Sequence, residues 1–336
     1  MKKNLTISVA AYNVEAFLDP LMQSILDSGV LDQLEVLIVD DGSKDGTAEK
    51  AGIYQTQFPD SVRLISKENG GHGSAINRGI QEATGKYFRT LDGDDWLHPM
   101  HLQKLVEKLD DLDADLILSN YCECYSDGET VIIDDYPTLE KDRSYSFDEL
   151  AETVEWMRHH TVIYRTALLQ EHRIRLDEKC FYVDSEYALF PIPFVNTIYY
   201  VKDELYCYRL GRTEQSVSRE SRMRLIADGE RVSKSLLAYY EEVKPRLTES
   251  QKRYFVSGIA DHCLFHFDSL MFFPANRANK KRILAFEELV KKTDPEVYEK
   301  MANLSPPSRT LRFLRATHYA GYGIMCWYRH RGTKEE

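Results

Sequence analysis

The chain has 336 residues, 43% hydrophobic and 29% charged, ordinary globular proportions that exclude a disordered or fibrous protein. A formal net charge of -11 excludes nucleic acid as the main partner, because a phosphate backbone demands a basic surface. Six cysteines, Cys122, Cys124, Cys180, Cys207, Cys263 and Cys326, show no metal-ligand spacing and read as scattered buried thiols of a reducing compartment.

The chain opens with two lysines and a short apolar run, which Asn13 and Glu15 interrupt before a signal-peptide core is complete. No apolar run is long enough to span a bilayer, so the expected location is the cytoplasm. Residues 5–10 read as a buried strand, and 17–26 as a helix from the spacing of Phe17, Leu18, Leu21, Met22, Ile25 and Leu26. Strand patterns recur over 34–39, 62–66, 87–91 and 115–119, with helices expected over 47–58, 73–83 and about 100–112. Continuous apolar strands separated by helices imply parallel strands covered on both faces, an α/β sheet.

From about residue 121 the alternation weakens. Residues 130–133 read as a strand, Ser146 and Glu149 as a capping box opening a helix to 156, and 197–201 and 205–210 as antiparallel strands. From 219 the pattern is helical, near 222–242, 250–270 and 278–292, with Thr248 and Gln251 a second capping box. The expected divisions are thus 1–218, a helical appendage over 219–304, and a basic aromatic segment over 305–336. Residues 308–332 carry five arginines and no acidic residue. This stretch reads either as an amphipathic segment resting on an anionic membrane through 308–331, or as a helix packed on the acidic body.

In α/β sheets ligands sit outside the carboxyl ends of the strands. The first strand exits into Tyr12 and Asn13, the second into Asp40-Asp41-Gly42-Ser43, and the third into Asn69-Gly70-Gly71-His72-Gly73. The fourth exits into Asp92-Gly93-Asp94-Asp95. Clustered carboxylates raise one another's pKa unless a cation neutralises them, so the last turn reads as an all-oxygen site for Mg²⁺ or Mn²⁺, or else as a solvated acidic turn. Asp40-Asp41 either caps the next helix, with Asp41 or Ser43 as the cap, or holds a nucleoside. The glycines from Gly70 to Gly79 let backbone approach a ligand closely.

The segments ISVAAYNVEAFL, EVLIVDDGSKDGT, NGGHGSAINRGI and ATGKYFRTLDGDDWLHP, in this order, resemble the nucleotide-sugar half of a family-2 glycosyltransferase. The resemblance covers about residues 4–218. It implies a GT-A fold, a mostly parallel sheet flanked by helices, followed here by the helical appendage. It also implies inverting transfer of a sugar from a nucleotide-diphosphate donor, with a UDP-sugar expected, and a divalent metal, Mn²⁺ or Mg²⁺. Carried over residue by residue, Asp41 matches the base-contacting carboxylate, with Asp40 beside it. Asp92 and Asp94 match the pair that holds ribose and metal, Asp94 being the expected direct ligand and Asp95 a further one. Tyr12 lies in the first nucleotide loop, and Asn69, Gly71 and Asn77 fall in the third motif. Ile76 stands where the family often has arginine, and Ala10 where it often has proline.

The family pattern of an acidic pair followed by an aromatic, just before a helix, is matched by Phe181-Tyr182-Val183-Asp184-Ser185-Glu186-Tyr187, with Val183 in place of the first acid. Asp184 is the expected base, with Glu186 in reserve, unless Asp184 or Ser185 merely caps a helix. His159 and His160 fall where relatives line the acceptor pocket, or are buried and satisfied. Arg209 and Arg212 lie in what resembles the mobile loop over the donor. The expected function is sugar transfer to a saccharide or lipid-linked saccharide acceptor in bacterial surface polysaccharide or glycolipid synthesis. The alternatives are an inactive sugar-binding scaffold and a nucleotidyltransferase.

Overall fold

The strand-helix alternation and the helical remainder of the sequence correspond to two units, residues 1–212 and 213–336. The computed structural model describes residues 3–211, 215–304 and 308–326.

In the first unit β1 (Leu5–Ala11), α1 (Glu15–Leu26), β2 (Leu34–Asp40), α2 (Thr47–Gln57), β3 (Val62–Ser66), α3 (His72–Glu82) and β4 (Tyr87–Asp92) follow the expected alternation. Then come β5 (Trp96–Leu97), α4 (Pro99–Leu109), β6 (Leu116–Tyr125), β7 (Thr130–Ile133), β8 (Arg143–Ser146) and α5 (Phe147–Leu150). The unit ends with β9 (Val162–Arg165), α6 (Thr166–Glu171), α7 (Asp184–Leu189) and β10 (Thr197–Leu210). β1 and β2 are buried along nearly their whole length because helices cover both faces, which is why they read as unbroken apolar runs.

The sheet order is β3-β2-β1-β4-β9-β6-β10-β5, with β7 paired to β6 and β8 to β10. β1 to β4 are mutually parallel, whereas β9 runs antiparallel to both β4 and β6. The chain leaves β1 on one side for β2 and β3 and returns on the other as β4. This reversal opens a crevice at the carboxyl ends of β1 and β4, where Ala10 pairs with Asp92.

Two local readings are corrected. The strands expected over 197–201 and 205–210 are one, β10, parallel to β6 and antiparallel to β5 and β8. Its register slips after Tyr200 and again after Glu204, and Lys202 adopts φ +47°, so an irregularity absorbs the polar residues that looked like a turn. The Ser146–Glu149 capping box is present, but its helix stops after one turn, short of the β-branched Thr153 and Val154.

The second unit is α8 (Arg219–Arg224), α9 (Ile226–Val243), α10 (Glu249–Leu270), α11 (Arg277–Thr293), α12 (Pro295–Met301) and α13 (Ser308–Ala316). α10, opened by the Thr248–Gln251 capping box, is buried on almost every side by its neighbours. The described part of the basic C-terminal segment, residues 308–326, packs within this unit. Leu311, Leu314, Tyr319 and Tyr322 are buried, and Arg315 forms a bidentate pair with Glu287 at 2.8 and 2.9 Å while donating to the Tyr298 carbonyl at 2.9 Å. Arg309, Arg312, Phe313 and Ile324 face outward. Among the described residues no helix is long and apolar enough to cross a membrane. Residues 327–331 of the stretch expected to touch a membrane lie outside the described residues, as does Arg212.

Candidate active site

The four strand exits converge, but their side chains divide into those that build the cleft and those that face it. Asp41 is among the builders. Buried at the end of β2, it accepts from Lys67 Nζ at 2.5 Å, from Gly70 N at 2.9 Å and from Gly71 N at 2.7 Å. Its carboxylate therefore holds the glycine loop. Asn69 donates to the Asp41 carbonyl at 2.9 Å, and Asp40 accepts from Ser43 N at 3.1 Å. Neither aspartate caps α2, where Asp45 receives Thr47 N and Oγ1 instead. Tyr12, at the exit of β1, is exposed.

The glycines admit chain rather than ligand. A Cβ on Gly71, which has φ +84°, would stand 3.1 Å from Lys179 N and Cα, and one on Gly73 would run into the Asp177 carbonyl oxygen. Residues 176–180 lie across this loop, with Lys179 N donating to Gly70 O at 2.5 Å. Asn77 belongs to the same contact, exchanging hydrogen bonds with Leu176 N and O at 2.8 and 2.9 Å, so its amide is engaged away from the cleft. Glu186, fully buried, accepts from Asp177 N at 2.7 Å and holds the other end of the segment.

This packing delivers Asp184, the first residue of α7, to the cleft. Asp184 makes no cap of α7, whose N-terminus has no side-chain cap. Its carboxylate lies 3.3 Å from His72 Nε2, and the same nitrogen lies 3.5 Å from Asp92 Oδ1. Burial disfavours a charged His72, but Asp92 and Asp184 outweigh it and push its pKa up to about 9. Burial likewise tends to raise Asp92 and Asp184. For Asp92 the opposing charges of His72 and His159, and for Asp184 those of His159 and His72, hold the carboxyl below the usual range.

His159 and His160 stand on a short 3₁₀ turn before β9. His159 Nε2 is 3.7 Å from Asp92 Oδ2. His160 packs among the rings of Tyr121, Tyr206 and Tyr208 at 5.1, 4.8 and 4.6 Å, and its burial pushes its pKa well down. Beneath the turn Arg89, fully buried on β4, donates to the His160 carbonyl and lies 5.0 Å over the Tyr206 ring. Arg89 and Tyr206 were not among the expected site residues, and Tyr208 was expected only within the segment resembling the mobile loop. A lone charged residue inside the apolar run of β4 was the available signal.

The aspartate turn is also divided. Asp95, expected as a further metal ligand, is buried and accepts from Tyr206 Oη at 2.6 Å and Arg209 N at 2.8 Å. It ties β10 to the turn, and burial together with Asp92 and Asp94 pushes its pKa well up. Arg209 donates through Nε to the Asp94 carbonyl at 2.7 Å and lies over the rings of Trp96 and Phe17 at 4.6 and 5.1 Å.

Asp92 Oδ1 and His159 Nε2 are buried atoms that make only the longer ion-pair contacts given above among the described residues. Ligand atoms of Asp92, His159 and His160 lie within 4.8 Å of one another. A carboxylate with imidazole nitrogens, beside Asp94, is a donor set that fits a divalent ion.

Residues 6–169 match the model of glycosyl transferase family 2. The chain is 27% identical over 257 residues to the putative glycosyltransferase EpsH of Bacillus subtilis, across 74% of this chain and 70% of that protein. In fold it is similar to S. aureus TarS in complex with UDP-GlcNAc, with TM-score 0.65 and 18% identity over 98% of this chain and 92% of that one. It is also similar to the mannosyltransferase PcManGT from Pyrobaculum calidifontis in complex with GDP-Man and Mn²⁺, with TM-score 0.51 and 16% identity over 100% and 89% of the two chains.

Proposed function

From the premise that the N-terminal unit belongs to glycosyl transferase family 2 and has its GT-A fold, we propose that the protein is an inverting transferase. It moves a sugar from a nucleotide-diphosphate donor, a UDP-sugar by preference, to a hydroxyl of a saccharide or lipid-linked saccharide. The setting proposed is bacterial surface polysaccharide or glycolipid synthesis. The observation that carries the reading is the meeting of Asp184 with His72 and Asp92, three residues from three strand or helix ends, at 3.3 and 3.5 Å.

In this reading Asp184 is the base that takes the acceptor proton as its oxygen attacks the anomeric carbon in line with the leaving diphosphate. His72, charged by its two carboxylates, keeps Asp184 ionised and oriented. His159 and the Tyr206–Tyr208 face line the approach of the acceptor. Asp92 and Asp94, with His159, would hold a divalent ion, which when bound offsets the negative charge growing on the leaving diphosphate. Asp41 positions the loop that borders the nucleotide, and Arg209 braces the turn from the other side.

The test is nucleoside diphosphate release from a panel of nucleotide sugars in the presence of Mn²⁺. Asp184→Asn is expected to lower turnover by about 10²- to 10⁴-fold while donor affinity stays within a few-fold. Loss of donor binding in that variant would move Asp184 to a structural role. Pyrophosphate exchange would favour nucleotidyl transfer, and tight donor binding without turnover would favour a scaffold.

A further inference from the structure

The cysteines, scattered in sequence, are not all scattered in space. Cys122 and Cys124 are alternate residues of β6 and share one face of the sheet. Cys207 of β10 is the register partner of Cys122 in a parallel pair and projects to the same face. The Cys122 and Cys124 sulfurs lie 3.7 Å apart, and the three sulfurs are within 4.8 Å of one another. All three are free thiols. Cys122 and Cys207 are buried, and Cys124 is half-exposed at the edge of the cluster.

We propose that Cys122, Cys124 and Cys207 form a binding site for one thiophilic cation, Zn²⁺ foremost, separate from the carboxylate cleft. Tetrahedral Zn²⁺ holds thiolates at about 2.3 Å, which sets neighbouring sulfurs roughly 3.8 Å apart, close to the separation of Cys122 and Cys124. Three soft sulfur donors discriminate against Mg²⁺ and Mn²⁺, which suit the oxygen and nitrogen ligands of the cleft. Spacing of one residue is too tight for a zinc knuckle in a loop. On a strand it places two sulfurs on one face, and the neighbouring strand supplies the third. Among the described residues no histidine or carboxylate joins the cluster, so the fourth position falls to water or a small thiol. Binding converts thiols to thiolates, their protons passing to solvent.

The site bears on the cleft through β10. Cys207 lies between Tyr206 and Tyr208, pairs with Trp96, and is two residues from Arg209, so an ion there restrains the strand that holds Asp95. Strand alternation places Tyr206, Tyr208 and His160 on the opposite face, so the ion would act through the backbone and not by entering the acceptor side.

The experiment titrates the reduced, metal-stripped full chain with Cd²⁺, following thiolate-to-metal charge-transfer absorption, and then displaces Cd²⁺ with Zn²⁺. Saturation at one ion per chain is expected. Cys124→Ser, at a half-exposed position, is expected to keep the near-ultraviolet dichroism of the wild type. It should weaken Cd²⁺ by at least the about 10- to 100-fold that loss of an outer-shell partner alone costs a metal site. Tryptophan fluorescence should change on binding in the wild type but not in Trp96→Phe. Absence of charge-transfer absorption, an unchanged titration in Cys124→Ser, or a Cys122–Cys207 disulfide persisting under mild reductant each overturns the site. Binding without the Trp96 response overturns its coupling to the turn.

Discussion

Gly73→Ala is the substitution that tests how Asp184 reaches the cleft. Gly73 is a helical position in the first turn of α3, where alanine is intrinsically favoured by about 1 kcal/mol. The added methyl would run into the Asp177 carbonyl oxygen, with the carbonyl carbon at 3.2 Å and Leu176 Cβ at 3.3 Å. An ordinary carbon contact needs about 3.5–4.0 Å, so α3 and the 176–180 segment must part by a distance on the order of 1 Å. That segment is tied through Glu186 to α7, and its displacement carries Asp184 away from His72. A misplacement of about 1 Å costs on the order of 10²-fold in turnover, and donor affinity should change far less. The assay is nucleoside diphosphate release with acceptor varied, alongside thermal unfolding. Gly52→Ala is the matched control, because it is also helical and a methyl there meets nothing within 4 Å. Wild-type turnover in Gly73→Ala, together with a raised melting temperature like that of Gly52→Ala, would refute the reasoning.

Two further predictions concern the second unit. Glu287→Gln leaves the largely buried Arg315 without its charge partner and should destabilise by about 3–5 kcal/mol in denaturant unfolding. Replacing both residues by apolar ones should recover most of that loss, and a loss below about 1 kcal/mol would mean that solvent screens the pair. His266 is buried on α10, and burial, reinforced by His262, Arg282, Arg222 and Lys234, pushes its pKa down to about 3. The folded state therefore holds the neutral ring while the unfolded chain takes up a proton below about pH 6.5. Stability should fall as pH drops from about 6.5 toward 3, by at most about 1.4 kcal/mol per unit from this residue. His266→Phe should flatten that slope in acid titrations of unfolding, and an unchanged slope would assign the effect to other groups.

What was legible in the sequence follows from local periodicity. β1, β2 and β4 and their helices were visible because strands buried along their length read as mostly apolar runs, β3 was visible as a shorter, half-exposed run, and the polar exits were visible because strand ends are local. The two capping boxes were equally local, each needing only four residues. The single strand β10 was not legible, because its continuity depends on pairing with β6 and β5 across the chain. The same limit applies to side-chain roles. Residue type marked Asp41, Asp95, Gly71 and Asn77 as candidates for ligand contact. Only the fold shows that Asp41 holds the glycine loop, that Asp95 ties down β10, and that Gly71 and Asn77 seat residues 176–180. Hydrogen bonds between residues tens of positions apart leave no periodic trace, so the charge at a strand exit named Asp92, the family resemblance named Asp184, and tertiary packing assigned Asp184, His72 and Asp92 to one another.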